Sequence, residues 1–166
     1  MEANLIHSLG DDAARLVEIR FRPFWEYIEA IRHLGRSMCQ TTFGTSAIGE
    51  RVKLVIQEAL ENAVKYSEGG PHNDLEITIS SSADTIEVSV TSKPNPQDLD
   101  SLRTELNWIS DKDPETAYLE AFKRAAETPG ASARLGLARM RFEGKVELSI
   151  VETSDGRIRL SATGAI

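Results

Sequence analysis

The sequence predicts an α+β fold, with helices packed on one face of a mixed, mostly antiparallel sheet. Two observations carry this. Apolar residues alternate at every second position in short stretches, most of which pair off across tight turns into hairpins. Between these stretches, apolar residues recur at three- and four-residue spacing, as helices require. A length of 166 residues suits one domain with a full core, read as residues 1–166 with the core over about 15–163.

The elements follow in order. Residues 1–13 read as a loose or short helical lead-in. Val17, Ile19 and Phe21 alternate with Glu18, Arg20 and Arg22 in a half-buried strand, which Pro23 ends. Phe24, Tyr27, Ile28, Ile31 and Leu34 mark a helix over 24–39, and the Thr-, Ser- and Gly-rich stretch 41–49 reads as a connector. A central helix spans Val52 to Ser67, stopped by Gly69-Gly70-Pro71. Leu75, Ile77 and Ile79, then Ile86, Val88 and Val90, form an expected hairpin, closed by the stiff Lys93-Pro94-Asn95-Pro96.

Leu99, Leu102, Leu106 and Ile109 mark a short helix. Asp113-Pro114 looks like a cap opening another, which ends at Thr128-Pro129-Gly130. Residues 96–133, rich in breakers, are the expected mobile lid. A further helix runs over 135–142 to Gly144. Val146, Leu148 and Ile150, then Ile158, Leu160 and Ala162, form the last hairpin, with residues 164–166 expected to fray.

Composition narrows the function. A net charge of −7 argues against a general nucleic-acid binder, whose surface must neutralise phosphates. Cys39 is the one cysteine, so no intrachain disulfide can form. No long apolar run or basic leader is present, which points to a cytoplasmic protein without membrane attachment. His7, His33 and His72 are scattered, without metal-ligand spacing.

The central helix carries the candidate chemistry. Val52, Val55, Ile56, Ala59, Ala63 and Val64 form its apolar stripe. At about 100° per residue, Glu58, Asn62 and Lys65 fall within an arc of about 60° along the edge of that stripe. A carboxylate, an amide and an ammonium on one edge suit an anionic ligand carrying a hard cation. The plainer reading is a charged rim on an ordinary helix.

The run Glu58-x-x-x-Asn62, continuing through Ala63-Val64-Lys65-Tyr66-Ser67, resembles the N-box of the GHKL ATPase superfamily. Nearly the whole chain, about 15–163, follows the order of that fold, a Bergerat-type two-layer α/β sandwich. The layout is most similar to the small anti-sigma-factor serine/threonine kinases of the RsbW and SpoIIAB type. The lid sequences Asn107-Trp108-Ile109 and Tyr118-Leu119-Glu120-Ala121-Phe122 also look like the SiaB-type branch. The resemblance implies ATP and Mg²⁺ as ligands, with Asn62 on magnesium, Lys65 on phosphate and Glu58 as the base or orienting carboxylate.

Two glycine boxes should follow. The first departs from the pattern, because Ser92 takes the adenine-binding aspartate's place and Pro94 that of the first glycine. A neutral hydroxyl in place of a carboxylate loses about 1–2 kcal/mol of hydrogen bonding. The resemblance implies that the second box opens a helix with its amides facing phosphate, making Leu135, Gly136 and Leu137 nucleotide-binding; Leu135-Gly136-Leu137 is kept and Arg134 stands at a usual glycine. Arg134 is either a direct phosphate contact or an exposed arginine at a helix start.

The resemblance implies a regulatory protein partner, a STAS-like antagonist or a sigma factor, and is compatible with a homodimer. Two functions follow: a Mg-ATP-dependent serine/threonine protein kinase of the partner-switching type, or a degenerate GHKL-fold module that binds no ATP and regulates by docking alone. Glu58, Asn62, Lys65 and Leu135-Gly136-Leu137 favour the first. Ser92 and Pro94 favour the second. A generic α+β fold unrelated to either is the third alternative.

Overall fold

The computed structural model describes residues 13–68, 73–128 and 132–166, with side chains in the last segment from Leu135 onward. Residues 1–12 of the lead-in, the stops at Gly69-Gly70-Pro71 and Pro129-Gly130, and His7 and His72 lie outside these.

The chain runs β1 (Ala14–Phe21), α1 (Trp25–Phe43), α2 (Ser46–Tyr66), β2 (Leu75–Ser81), β3 (Thr85–Ser92), α3 (Pro96–Ser110), α4 (Pro114–Glu127), α5 (Ser132–Phe142), β4 (Glu147–Glu152) and β5 (Ile158–Ala165). The strands form one sheet in the order β1-β2-β3-β5-β4. Every neighbouring pair is antiparallel, which takes the expected mixed, mostly antiparallel sheet to a wholly antiparallel one. Connectivity gives the reason. The chain reverses three times between β1 and β2, into α1, into α2 and out of it. β2–β3 and β4–β5 are hairpins, and β5 inserts between β3 and β4, so these two strands do not pair with each other.

Alternation sets which face is buried. On β2, Leu75, Ile77 and Ile79 are buried, and across the register Ile77 pairs with Val90 and Val88 with Ala162. This face meets α2, whose Val52, Val55, Ile56, Ala59, Leu60 and Ala63 are buried. α1 packs beside α2 through Ile28 and Ile31. The result is a two-layer α/β sandwich with α2 central to its helical layer.

Three boundaries differ from expectation. The connector over 41–49 shrinks to Gly44-Thr45. Gly44 caps α1 at φ 68°, its N–H donating to the Gln40 carbonyl, and Thr45 caps α2 by accepting from the Ala47 N–H at 3.2 Å. The Thr, Ser and Gly residues read as a loop are mostly two helix ends meeting. Secondly, α2 starts at Ser46 rather than Val52, because Ile48 and Gly49 extend the buried stripe. Thirdly, the C-terminus does not fray at Gly164. β5 continues to Ala165 and the Ile166 N–H donates to the Asp84 carbonyl at 3.0 Å.

The segment read as a lid is mostly helical where it is described: α3 and α4, joined by a short turn over 111–113, and the start of α5. Asn95 caps α3, accepting from the Asp98 N–H at 2.9 Å, with Pro96 in the first turn. Asp113 caps α4, accepting from the Thr116 N–H at 3.0 Å, with Pro114 next. Leu106, Ile109, Ala117 and Ala121 anchor the two helices in the core. Among the described residues, no helix is long and apolar enough to cross a membrane.

Candidate functional site

A cleft of about 160 Å³ opens between α2, α3, α5 and the β3–β5 part of the sheet. Its floor and walls include Ala59, Asn62, Ala63 and Tyr66 of α2, Val90 and Ser92 of β3, Leu137 of α5, and Ile158 and Leu160 of β5. Pro94, Asp98, Ser101, Leu102 and Glu105 close the side towards α3. Mostly apolar walls with a few convergent polar groups are the usual make-up of a small-molecule site.

Of the residues singled out in the sequence, Asn62, Ser92 and Leu137 meet in this cleft. Among the described residues, the Asn62 Nδ2 is buried without a hydrogen-bond partner. A buried amide nitrogen left unpaired costs roughly 1–3 kcal/mol, so this atom calls for a partner that the described residues do not supply. Lys65 is exposed beside the cleft, its Nζ 5.1 Å from the ring of Tyr66, which lines it. Leu135 is half-buried and packs against the core. Arg134 falls within α5 by its backbone, but its side chain lies outside the described residues, as does most of the glycine run that precedes it.

Glu58 sits one helical turn before Asn62, with its side chain only 13% exposed. It is not among the residues lining the cleft. Arg139 of α5 donates to Glu58 Oε1 through Nη1 at 3.0 Å, and to Glu143 Oε1 through Nε at 3.0 Å. Burial pushes the Glu58 carboxyl up from the ordinary carboxylate range; Arg139 opposes that shift, and Glu61 adds to it.

Gly136 also differs from its sequence reading as a phosphate-facing glycine. α5 begins at Ser132, so the amide of Gly136 lies inside the helix, beyond the free N–H groups of its first turn. Its bare α-carbon faces Glu58. A Cβ there would stand 2.7 Å from Glu58 Oε2 and 3.5 Å from Asn62 Nδ2.

Sequence reasoning missed Arg139, Asp98 and Glu105. Arg139 lies 81 positions from the carboxylate it binds, a pairing that no local pattern announces. Asp98 and Glu105 are spaced by seven on α3, two helical turns apart on one face, a signal that is readable once the helix is known to border a cleft.

The donor set can be weighed against a magnesium nucleotide. Among the described residues, no group of three or more His, Cys, Asp or Glu side chains could hold a metal alone. Asn62 offers its Oδ1 to a cation and its amide N–H, unpaired among the described residues, to a phosphate oxygen, and the Lys65 ammonium suits phosphate charge. At the base end the cleft offers the Ser92 hydroxyl and the Pro94 ring instead of a carboxylate.

No protein-family model matches this chain, and no curated protein matches it by sequence. Among solved structures it is similar to a chain in the crystal structure of the SiaB–SiaC complex from Pseudomonas aeruginosa, with a TM-score of 0.67 and 21% identity over 92% of this chain and 91% of that one. At that identity the likeness is one of fold.

Proposed function

We propose that this chain is a cytoplasmic partner-switching regulator that uses magnesium ATP to phosphorylate a serine or threonine hydroxyl on a small protein partner, a STAS-like antagonist or a similar protein. The observation that carries this reading is the Asn62 amide nitrogen at the cleft, buried and unpartnered among the described residues, one helical turn from the buried carboxylate of Glu58. The solved neighbour adds support for a protein partner, since it is a complex of two proteins.

ATP, when bound, supplies the phosphoryl group. Asn62 would hold the magnesium, and Lys65 and Arg134 would balance phosphate charge. Glu58 would accept or orient the proton of the incoming hydroxyl. The protein's contribution is positioning and electrostatics, which is most of what phosphoryl transfer requires.

A second reading, a docking module that binds no nucleotide, is favoured by Ser92 and Pro94 at the base end of the cleft and by the carboxylates of Asp98 and Glu105 along its side. The two separate in one experiment: a partner recovered by pull-down is incubated with ATP radiolabelled at the γ-phosphate. The wild type is expected to label the partner and Asn62→Ala to lose labelling, with its melting point without ligand close to wild type. Partner binding without label in the wild type would select the docking module. A variant that cannot fold would make Asn62 structural.

A further inference from the structure

Each oxygen of the Glu58 carboxylate has its own constraint, and both come from α5. Oε1 accepts from Arg139 Nη1 at 3.0 Å. Oε2 lies over the bare backbone of Gly136, in space that any side chain at 136 would enter. Gly136 and Arg139 are three residues apart, so they present one face of the helix. Arg139 is itself held. Its Nε donates to Glu143 Oε1, four residues on, which fixes the plane of the guanidinium. Tyr118 of α4, stacked on Phe142 at 5.2 Å, closes this end of the cluster.

Packing alone does not call for such an arrangement. A part-buried ion pair between two helices, with Arg139 40% exposed, adds little to stability beyond what an apolar pair of similar volume would, and α2 already presents Val55, Ile56, Ala59 and Leu60 to the core. An ion pair with both oxygens specified instead fixes the direction in which a carboxylate points.

We propose that Gly136 and Arg139 form a seat that positions the Glu58 carboxylate, Gly136 by leaving room for it and Arg139 by binding it. The glycine of the Leu135-Gly136-Leu137 run thus serves a protein carboxylate in this conformation. Arg139 is a positioning residue that acts through Glu58. Its consequence for the reaction rests on the kinase reading above, while the seat itself does not.

The test therefore has two arms. In the first, Glu58→Gln, Arg139→Gln and the double variant are unfolded in urea. The seat predicts a non-additive cycle, with the double variant's midpoint lying well short of the summed shifts of the two single variants. An additive cycle overturns the seat, whatever the activity. In the second arm, steady-state transfer from magnesium ATP to the partner is measured. Arg139→Gln is expected to lower kcat about 10- to 100-fold, as for a misplaced catalytic group, with KM for the nucleotide changed by less than about twofold. Arg139→Lys should recover part of the loss, Gly136→Ala should reproduce it, and adding Arg139→Gln to Glu58→Gln should slow transfer no further. An unchanged kcat in Arg139→Gln overturns the positioning role. A wild type inert to magnesium ATP with a non-additive cycle would instead keep the seat and defeat the kinase reading.

Discussion

Glu58→Gln is expected to lose phosphotransfer by about 10²- to 10⁴-fold, the usual loss on removing a positioned base, while still binding magnesium ATP. The argument starts from burial. The Glu58 side chain is 13% exposed and its charge is balanced by Arg139, which is 40% exposed and keeps Glu143 as a second partner. Replacing the carboxylate by an amide of the same shape removes the acceptor for the hydroxyl proton. It leaves Asn62 in the cleft and Lys65 at its rim. It also takes one negative charge away from an anionic ligand, so affinity for the nucleotide should hold or rise. Initial rates at saturating nucleotide, with affinity measured separately, check both halves. Equal transfer by the variant and the wild type would remove Glu58 from the chemistry.

The second large effect is expected at Arg141, two residues beyond Arg139 on α5. It is 7% exposed, deep for a guanidinium. Its Nη1 donates to the Ile109 carbonyl and, at 3.2 Å, to the Lys112 carbonyl. Those carbonyls belong to the end of α3 and the turn into α4, so one core arginine ties down the junction of the segment that borders the cleft. On the same segment the Trp108 ring has two cations near it, with the Arg124 guanidinium 4.2 Å and the Lys112 ammonium 5.3 Å from its centroid.

Arg141→Met keeps an unbranched apolar stem but leaves both carbonyls without this donor. Charge-assisted hydrogen bonds contribute roughly 1.5–3 kcal/mol each. Among the described residues the Arg141 Nε is buried without a partner, a cost the substitution relieves. The expected net loss is therefore roughly 2–4 kcal/mol. Urea unfolding measures that loss, and amide exchange should quicken over residues 96–128 before it does in β2 or β3. A variant with unchanged midpoint and exchange would show that the junction holds without Arg141.

The sheet and the central helix were legible because their burial is periodic. Leu75, Ile77 and Ile79 alternate cleanly, and α2 repeats its apolar positions through four turns; neither pattern depends on distant partners. The α1–α2 junction was less legible, because Thr, Ser and Gly serve both as loop formers and as helix caps, and only the conformation of Gly44 and the hydrogen bond to Thr45 separate the two uses. In the site, Asn62 and Ser92 could be placed from a helical arc and the end of a strand. Lys65, on the same arc, came out at the rim of the cleft.

The seat under Glu58 could not be read. In the sequence Gly136 belongs to a run that resembles a phosphate-binding box, and Arg139 and Arg141 look like two surface charges on one short helix. Their fates differ because α5 is packed on both sides. Arg139 turns towards α2 and Arg141 towards the α3–α4 junction, and these neighbours are supplied by tertiary contacts across tens of residues.

The central claim is that the cleft beside Asn62 receives magnesium ATP, and calorimetric titration of the wild-type protein tests it most directly. The account predicts a saturable heat of binding at one nucleotide per chain, present with magnesium, weakened when the magnesium is chelated, and largely lost in Asn62→Ala. No heat of binding from the folded wild type, together with a melting temperature that does not move when magnesium ATP is added, would contradict it.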